Sequence, residues 1–159
     1  MLADTAAIAT VLAVIAAVLS LRQIQRQRIR AFEDFYVARY WKLMDDLSLP
    51  VLKATTTVTL TEADERVLRA YLILCEDELE LRAAGWISDR TWRIWSAAMR
   101  QQFAWAPVSQ VWDQVSALAE TGNGRPFRRI TQFRTGAHDP VELGRAHRAL
   151  RGLRGVLGE

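Results

Sequence analysis

From Thr5 to Leu21 the chain reads TAAIATVLAVIAAVLSL, 17 residues without a charge, a proline or a glycine. As a helix rising 1.5 Å per residue this run is about 26 Å long, close to the ~30 Å of a bilayer's hydrocarbon core. It is apolar around its whole circumference, whereas a helix on the surface of a soluble domain needs a polar face. A buried helix of a soluble oligomer and a cleaved signal peptide are the competing explanations. The signal peptide is the poorer fit, because a positive leading region is expected and the only side-chain charge ahead of the run is Asp4. Residues 1–21 are therefore expected to be a transmembrane anchor.

The flanks set an expected orientation. Arg22, Arg26, Arg28 and Arg30 follow the run at once, and no lysine or arginine precedes it. Positive charge is retained on the cytoplasmic side, so a single-pass protein of the cell membrane is expected, N-terminus outside and remainder inside. One free cysteine, Cys75, agrees with a reducing compartment. The four arginines either fix topology alone or also touch anionic headgroups, at about 1 kcal/mol each.

The net charge of +3 conceals segregation. Residues 22–44 hold six basic groups against two acidic, residues 45–120 seven against twelve, and residues 121–159 eight arginines against three acids. An acidic middle lies between basic ends. The middle reads as helices, with period-two alternation confined to TTTVTL at 55–60. Ile29, Phe32, Tyr36, Val37, Tyr40, Leu43, Met44 and Leu47 share one arc of a helix that leaves the membrane and stops before Pro50. Thr61-Glu62-Ala63-Asp64 resembles a capping box opening a helix that runs from about Glu62 to Ala84 and closes at Gly85. Ser88 is placed to cap a helix with Trp92, Trp95, Ser96, Met99 and Phe103 on one face, and Pro107 to start another that ends at Gly122-Asn123-Gly124. The expected fold is all-α: an anchor, a cytoplasmic bundle of about four helices over residues 22–122, and a basic, partly ordered tail over residues 123–159.

Candidate sites are few. Glu76 and Glu80, four apart in CEDELELR, have the spacing of carboxylate metal ligands but lack a Glu-x-x-His partner motif. His138 and His147 lie in the tail, so no metal or cofactor is expected and the acidic face reads as solvated. Glu78 and Arg82 fall inside the apolar arc of Val67, Leu68, Tyr71, Leu72, Leu74, Cys75 and Leu79, at the i, i+4 spacing of an ion pair. Such a pair is expected to bridge at the edge of the core, with Glu33 as a third member, or else to line a binding pocket. Cys75 reads as a small buried hydrophobe. No phosphate loop, nucleophile elbow or placed histidine base is found, which leaves an enzyme without parts. In the tail, Arg125, Arg128, Arg129 and Arg134 interleave with Phe127 and Phe133, a composition suited to anions and stacked bases. Lipid or protein is favoured over nucleic acid, because the membrane is the nearer anion.

The segment YLILCEDELELRAAGWISDRTWRIWSAAMRQQFAWAPVSQVW carries Leu74, Cys75, Glu76, Asp77, Gly85, Trp86, Ile87, Trp92, Trp95, Pro107 and Trp112. In this pattern it resembles a group of uncharacterised bacterial single-span membrane proteins with a small helical cytoplasmic domain of unknown function. The resemblance covers about a third of the chain and implies architecture and topology, with no activity to carry over. The expected function is a membrane-anchored protein-interaction or scaffold module, with a protein partner or a second copy as its target. Trp92, Trp95 and Trp112 are the candidate binding residues, and the tryptophans, with Trp41 beside the first helix's core arc, serve either as packing or as hot spots. A membrane-tethered sensor or enzyme near Glu78 and Arg82 is the alternative, and anion binding by the tail a third.

Overall fold

In the computed structural model the described residues are 2–122 and 127–136, with side chains from Ile8 onward. Among them there are six helices and no strand. The apolar run does not end where its hydrophobicity ends. It continues unbroken into the amphipathic segment as α1, Leu2–Asp45, because nothing between Leu21 and Arg39 is a proline or glycine. From Ile8 to Arg28 every side chain is exposed. This helix is long and apolar enough to cross a membrane, with an 18-residue stretch of mean hydropathy 1.8. Beyond it, Ile29, Tyr36 and Met44 are buried and Phe32, Tyr40 and Leu43 half-buried, as the expected arc requires; Val37 of that arc is exposed.

Pro50 does not simply stop a helix. It occupies the first turn of a short one, α2 (Leu49–Leu52), where its missing N–H costs nothing and its fixed φ is already helical. The TTTVTL stretch is irregular, with Val58 and Leu60 packed on the core and its start held by the Trp105 Nε1–H donating to Ala54 O at 2.7 Å.

Three helices begin and end where their punctuation residues put them. α3 spans Glu62–Ala84 behind a complete capping box between Thr61 and Asp64, and Gly85 closes it at φ 84°, a left-handed conformation that suits glycine. Ser88 caps α4, Asp89–Ala104, accepting from Thr91 N. α5, Ala106–Glu120, starts with Pro107 in its first turn and ends before Gly122 at φ 75°. A sixth helix, α6 (Arg128–Thr135), lies in the segment assigned to the tail. It belongs to the bundle: Phe127, Ile130 and Phe133 join the same core as the other helices.

α3 is the central element. It packs on α1, α5 and α6, while α4 packs on α5. Leu68, Leu72, Leu74, Cys75 and Leu79 are fully buried, and enclosure from several sides also covers Glu76, Glu78 and Arg82. A helix surrounded in this way has little surface on which to place a charge, so each carboxylate on it must find a donor or keep its proton.

Candidate functional site

The buried charges of α3 were expected to pair with one another. Arg82 instead turns toward the α3–α4 connection, where it bridges Asp89 at 2.6 Å and donates to Ile87 O at 3.0 Å. Its guanidinium also lies 5.8 Å from the Trp92 ring. Glu33, the expected third member, accepts from Ser88 N at 2.9 Å and so anchors the same turn to α1. The physical reason for the difference is reach: the turn that follows the helix brings Asp89 and the Ile87 carbonyl to the Arg82 guanidinium.

Glu78 is left alone. Among the described residues it has no ion-pair or hydrogen-bond partner, and it is 9% exposed. Burial, reinforced by neighbouring Asp77 and only partly opposed by Arg39, pushes its carboxyl up to about 8. It therefore holds a proton at neutral pH. Around it, burial also raises Tyr71, Tyr40 and Tyr36. The Cys75 thiol rises for the same reason, with Glu78 adding to the effect. A protonated, enclosed thiol is a poor nucleophile. This cluster between α1 and α3 is a neutral polar seam, hydrogen-bonded at its edge where Gln102 Nε2 donates to Tyr40 Oη at 3.1 Å. Glu78 and Arg82 thus face different neighbours and do not form a single pocket.

The acidic face at residues 76–80 is not merely solvated. Glu76 is buried, and its two carboxylate oxygens accept from Arg129 N and Ile130 N, each at 2.9 Å. These are the second and third N–H groups of α6, whose own N-cap position is Phe127 and offers no side-chain acceptor. Glu80 takes the Arg129 guanidinium at 3.0 Å. The two carboxylates at i, i+4 here hold the start of α6, Glu76 through its N–H groups and Glu80 through the Arg129 side chain. Among the described residues no cluster of three or more metal-ligating side chains occurs.

No protein-family model matches the chain, and no curated protein or solved structure matches it either. Function must therefore be argued from the surface and the charges themselves.

The tryptophans expected to dock a partner are largely inside. Trp92 is 3% exposed and edge-on to Phe133 at 6.3 Å; Trp112 is 8% exposed and sits between Phe103 and Phe127. Trp95 is half-buried, 6.4 Å from Tyr36. Periodicity placed all three on the inward arc, which is the ordinary fate of such an arc. The exposed large rings are instead Phe35 (60%), Trp41 (59%) and Trp86 (50%).

The tail arginines separate in the same way. Arg125 lies outside the described residues. Arg128 is exposed, Arg129 is held by Glu80, and the Arg134 guanidinium lies over Phe103 and Trp112, 5.3 and 5.2 Å from their ring centres. Phe127 and Phe133, read as base-stacking partners, are core residues. Arg22, Arg26, Arg28 and Arg30 are all exposed on α1 directly after the apolar run.

Proposed function

We propose that the protein is a single-span, membrane-anchored interaction module, N-terminus outside, whose cytoplasmic bundle is held rigidly to the anchor and associates with a second copy. The observation that carries this reading is the free face of α1. Thr10, Val14, Ala17, Leu21, Ile24, Arg28, Ala31, Phe35, Ala38 and Lys42 recur at alternating spacings of four and three, and all are exposed. The bundle occupies the opposite side of the same helix. A seam repeating every 3.5 residues is the pattern of a two-stranded left-handed coiled coil. In the bilayer its small residues, Thr10 and Ala17, permit close backbone approach.

Charge complementarity supports a parallel second copy. With Phe35 and Ala38 as core positions of the coil, Asp34 and Arg39 occupy flanking positions five residues apart, where one helix meets the next along its partner. Asp34 is exposed, and Arg39 reaches Asp77 only at 3.8 Å with 41% of its side chain exposed. Lipid headgroups are the further partner of Arg22, Arg26, Arg28 and Arg30, whose retention on the cytoplasmic side gives the orientation.

Three measurements test this. Carbonate washing should leave the chain in the membrane, and release of intact protein would defeat the anchor. In a Cys75→Ser background, a membrane-impermeant maleimide applied to intact cells should label Ala3→Cys and spare Thr57→Cys; the reverse pattern would invert the topology. Oxidation of membrane vesicles should link Ala31→Cys and Ala38→Cys copies and leave Thr57→Cys monomeric. Equal cross-linking at all three positions would show collision instead of a seam.

A further inference from the structure

A second feature lies at the far end of the bundle, and the choice of its ligand rests on the membrane-anchor reading above. The guanidinium of Arg100 lies 4.4 Å from the Phe133 ring centre, and that of Arg134 lies against Phe103 and Trp112. Phe103 and Phe133 are themselves in contact, 6.3 Å apart. Two arginines from different helices thus place their guanidinium groups over adjoining rings. Arg134 is fixed further by donating from Nη1 to Phe103 O at 3.5 Å. Among the described residues neither guanidinium has a carboxylate partner, whereas Arg39, Arg66, Arg69, Arg82 and Arg129 all do. Burial lowers Arg134 from its ordinary value, opposed only by the charge of Asp113 on α5. Both side chains are solvent-accessible, and two like charges lining one cavity without a carboxylate between them are a pair that a bound anion would stabilise.

The two side chains line one cavity of about 240 Å³ together with Phe103, Ala104 and Phe133, and no acidic residue lines it. We propose that Arg100 and Arg134 form a binding site for a soluble phosphate group, the two cations facing one dianion across this cavity. The volume sits below the roughly 300–1,000 Å³ of drug-sized pockets, which suits a compact anion. Phosphate carries about −1.5 to −2 charges at neutral pH on three acceptor oxygens, matching two guanidinium forks. Contact with a ring restrains a guanidinium and so removes part of the rotamer entropy that binding would otherwise cost.

Position decides between a free phosphate and a lipid headgroup. Gln102, two residues from Arg100, is bonded to Tyr40 of α1. Tyr40 lies nineteen positions past Leu21, or roughly 28 Å along a helix. Headgroups extend only about 5–8 Å beyond the hydrocarbon. With α1 crossing the bilayer upright, the site is beyond the reach of phospholipid.

Titration calorimetry of the full chain in neutral detergent, with inorganic phosphate as ligand, tests the site. The expected result is saturable one-to-one binding that weakens about tenfold or more in Arg100→Gln and in Arg134→Lys, since each loses charge-assisted bonds to the anion. Arg93→Gln, an exposed arginine on the outer face of α4, should bind as the parent does. Arg100 makes no hydrogen bond within the described fold, so its variant reports binding even if Arg134→Lys loosens α6. Absence of saturable heat, or equal weakening in Arg93→Gln, would overturn the site. In nanodiscs, phosphate binding should be the same with phosphatidylcholine alone and with added phosphatidic acid. Loss confined to the phosphatidic acid discs would reassign the anion to lipid and overturn the soluble assignment.

Discussion

Replacing Glu78 by glutamine should stabilise the protein at neutral pH, the opposite of what a paired buried carboxylate would give. Its carboxyl stands near 8 in the folded chain against an ordinary value of 4.5. The folded state therefore binds the proton more tightly than the unfolded one, and the associated stability is fully present below pH 4.5. It is lost as pH rises toward 8, at up to 1.36 kcal/mol per pH unit, and by pH 7 the loss is about 3 kcal/mol. Glutamine has nearly the shape of the neutral acid and no proton to lose, so this slope should vanish in Glu78→Gln. Denaturant titration of the full chain in neutral detergent, followed by tryptophan emission at pH 5, 6, 7 and 8, measures both slopes. The curves should lie close together at pH 5 and diverge as pH rises, with the variant the more stable by about 3 kcal/mol at pH 7. A variant less stable by the same amount at every pH would refute the reasoning, because it would mean that Glu78 is ionised and held by a donor. So would a parent protein whose stability did not fall between pH 5 and 8 relative to the variant.

Other substitutions probe the remaining buried charges. Glu76→Ala removes the acceptor of two N–H groups; it should cost about 2–3 kcal/mol and speed amide exchange at Ile130 and Phe133 before the rest of the core. Arg82→Met leaves Asp89 without its 2.6 Å partner and should cost about 3 kcal/mol, with the loss largely recovered when Asp89→Asn is added, as a double-mutant cycle would read. Thr61, the main cause, and the amide of Ser48 hold Asp64 below the usual carboxylate range. Its contribution is present above pH 3.8 and lost as pH falls through the lowered value, so Asp64→Asn should flatten the acid limb of a stability profile. Phe35→Glu on the free face of α1 should leave melting unchanged within ~0.5 kcal/mol while abolishing cross-linking through Ala38→Cys.

The helix ends of the bundle were legible in sequence because local backbone chemistry determines them. A capping box, a left-handed glycine, a serine cap and a first-turn proline each act within a few residues, and all four stand where they were read. The inward arcs were legible too, since periodicity reports which side is covered. It does not report by what. Arg82 and Glu78 share an arc, so the wheel pairs them, while the actual partner of Arg82 lies past a turn that the wheel does not contain. The same limit turned core tryptophans into docking candidates and hid α6. That helix is only 8 residues long, too short to be marginally stable alone, and it is held by Glu76 from more than fifty positions away.

Three of the acids have a shared physical role. A helix start exposes N–H groups and the positive end of a dipole, so it can be met by a carboxylate from any part of the fold. Glu33 on α1 meets the cap of α4, Asp64 meets the caps of both α2 and α3, and Glu76 meets the first turn of α6. Each of these contacts except that within the capping box joins two elements that hydrophobic packing alone could slide past one another. Apolar contact is non-directional, whereas a carboxylate at 2.9 Å from a named amide admits one register. These three acids therefore specify geometry, and among the described residues Glu78 is the buried acid that touches no helix start and is left holding a proton. The bundle rides on a 44-residue helix, and Glu33 gives that helix a directional tie to the α3–α4 turn that apolar packing alone would not supply.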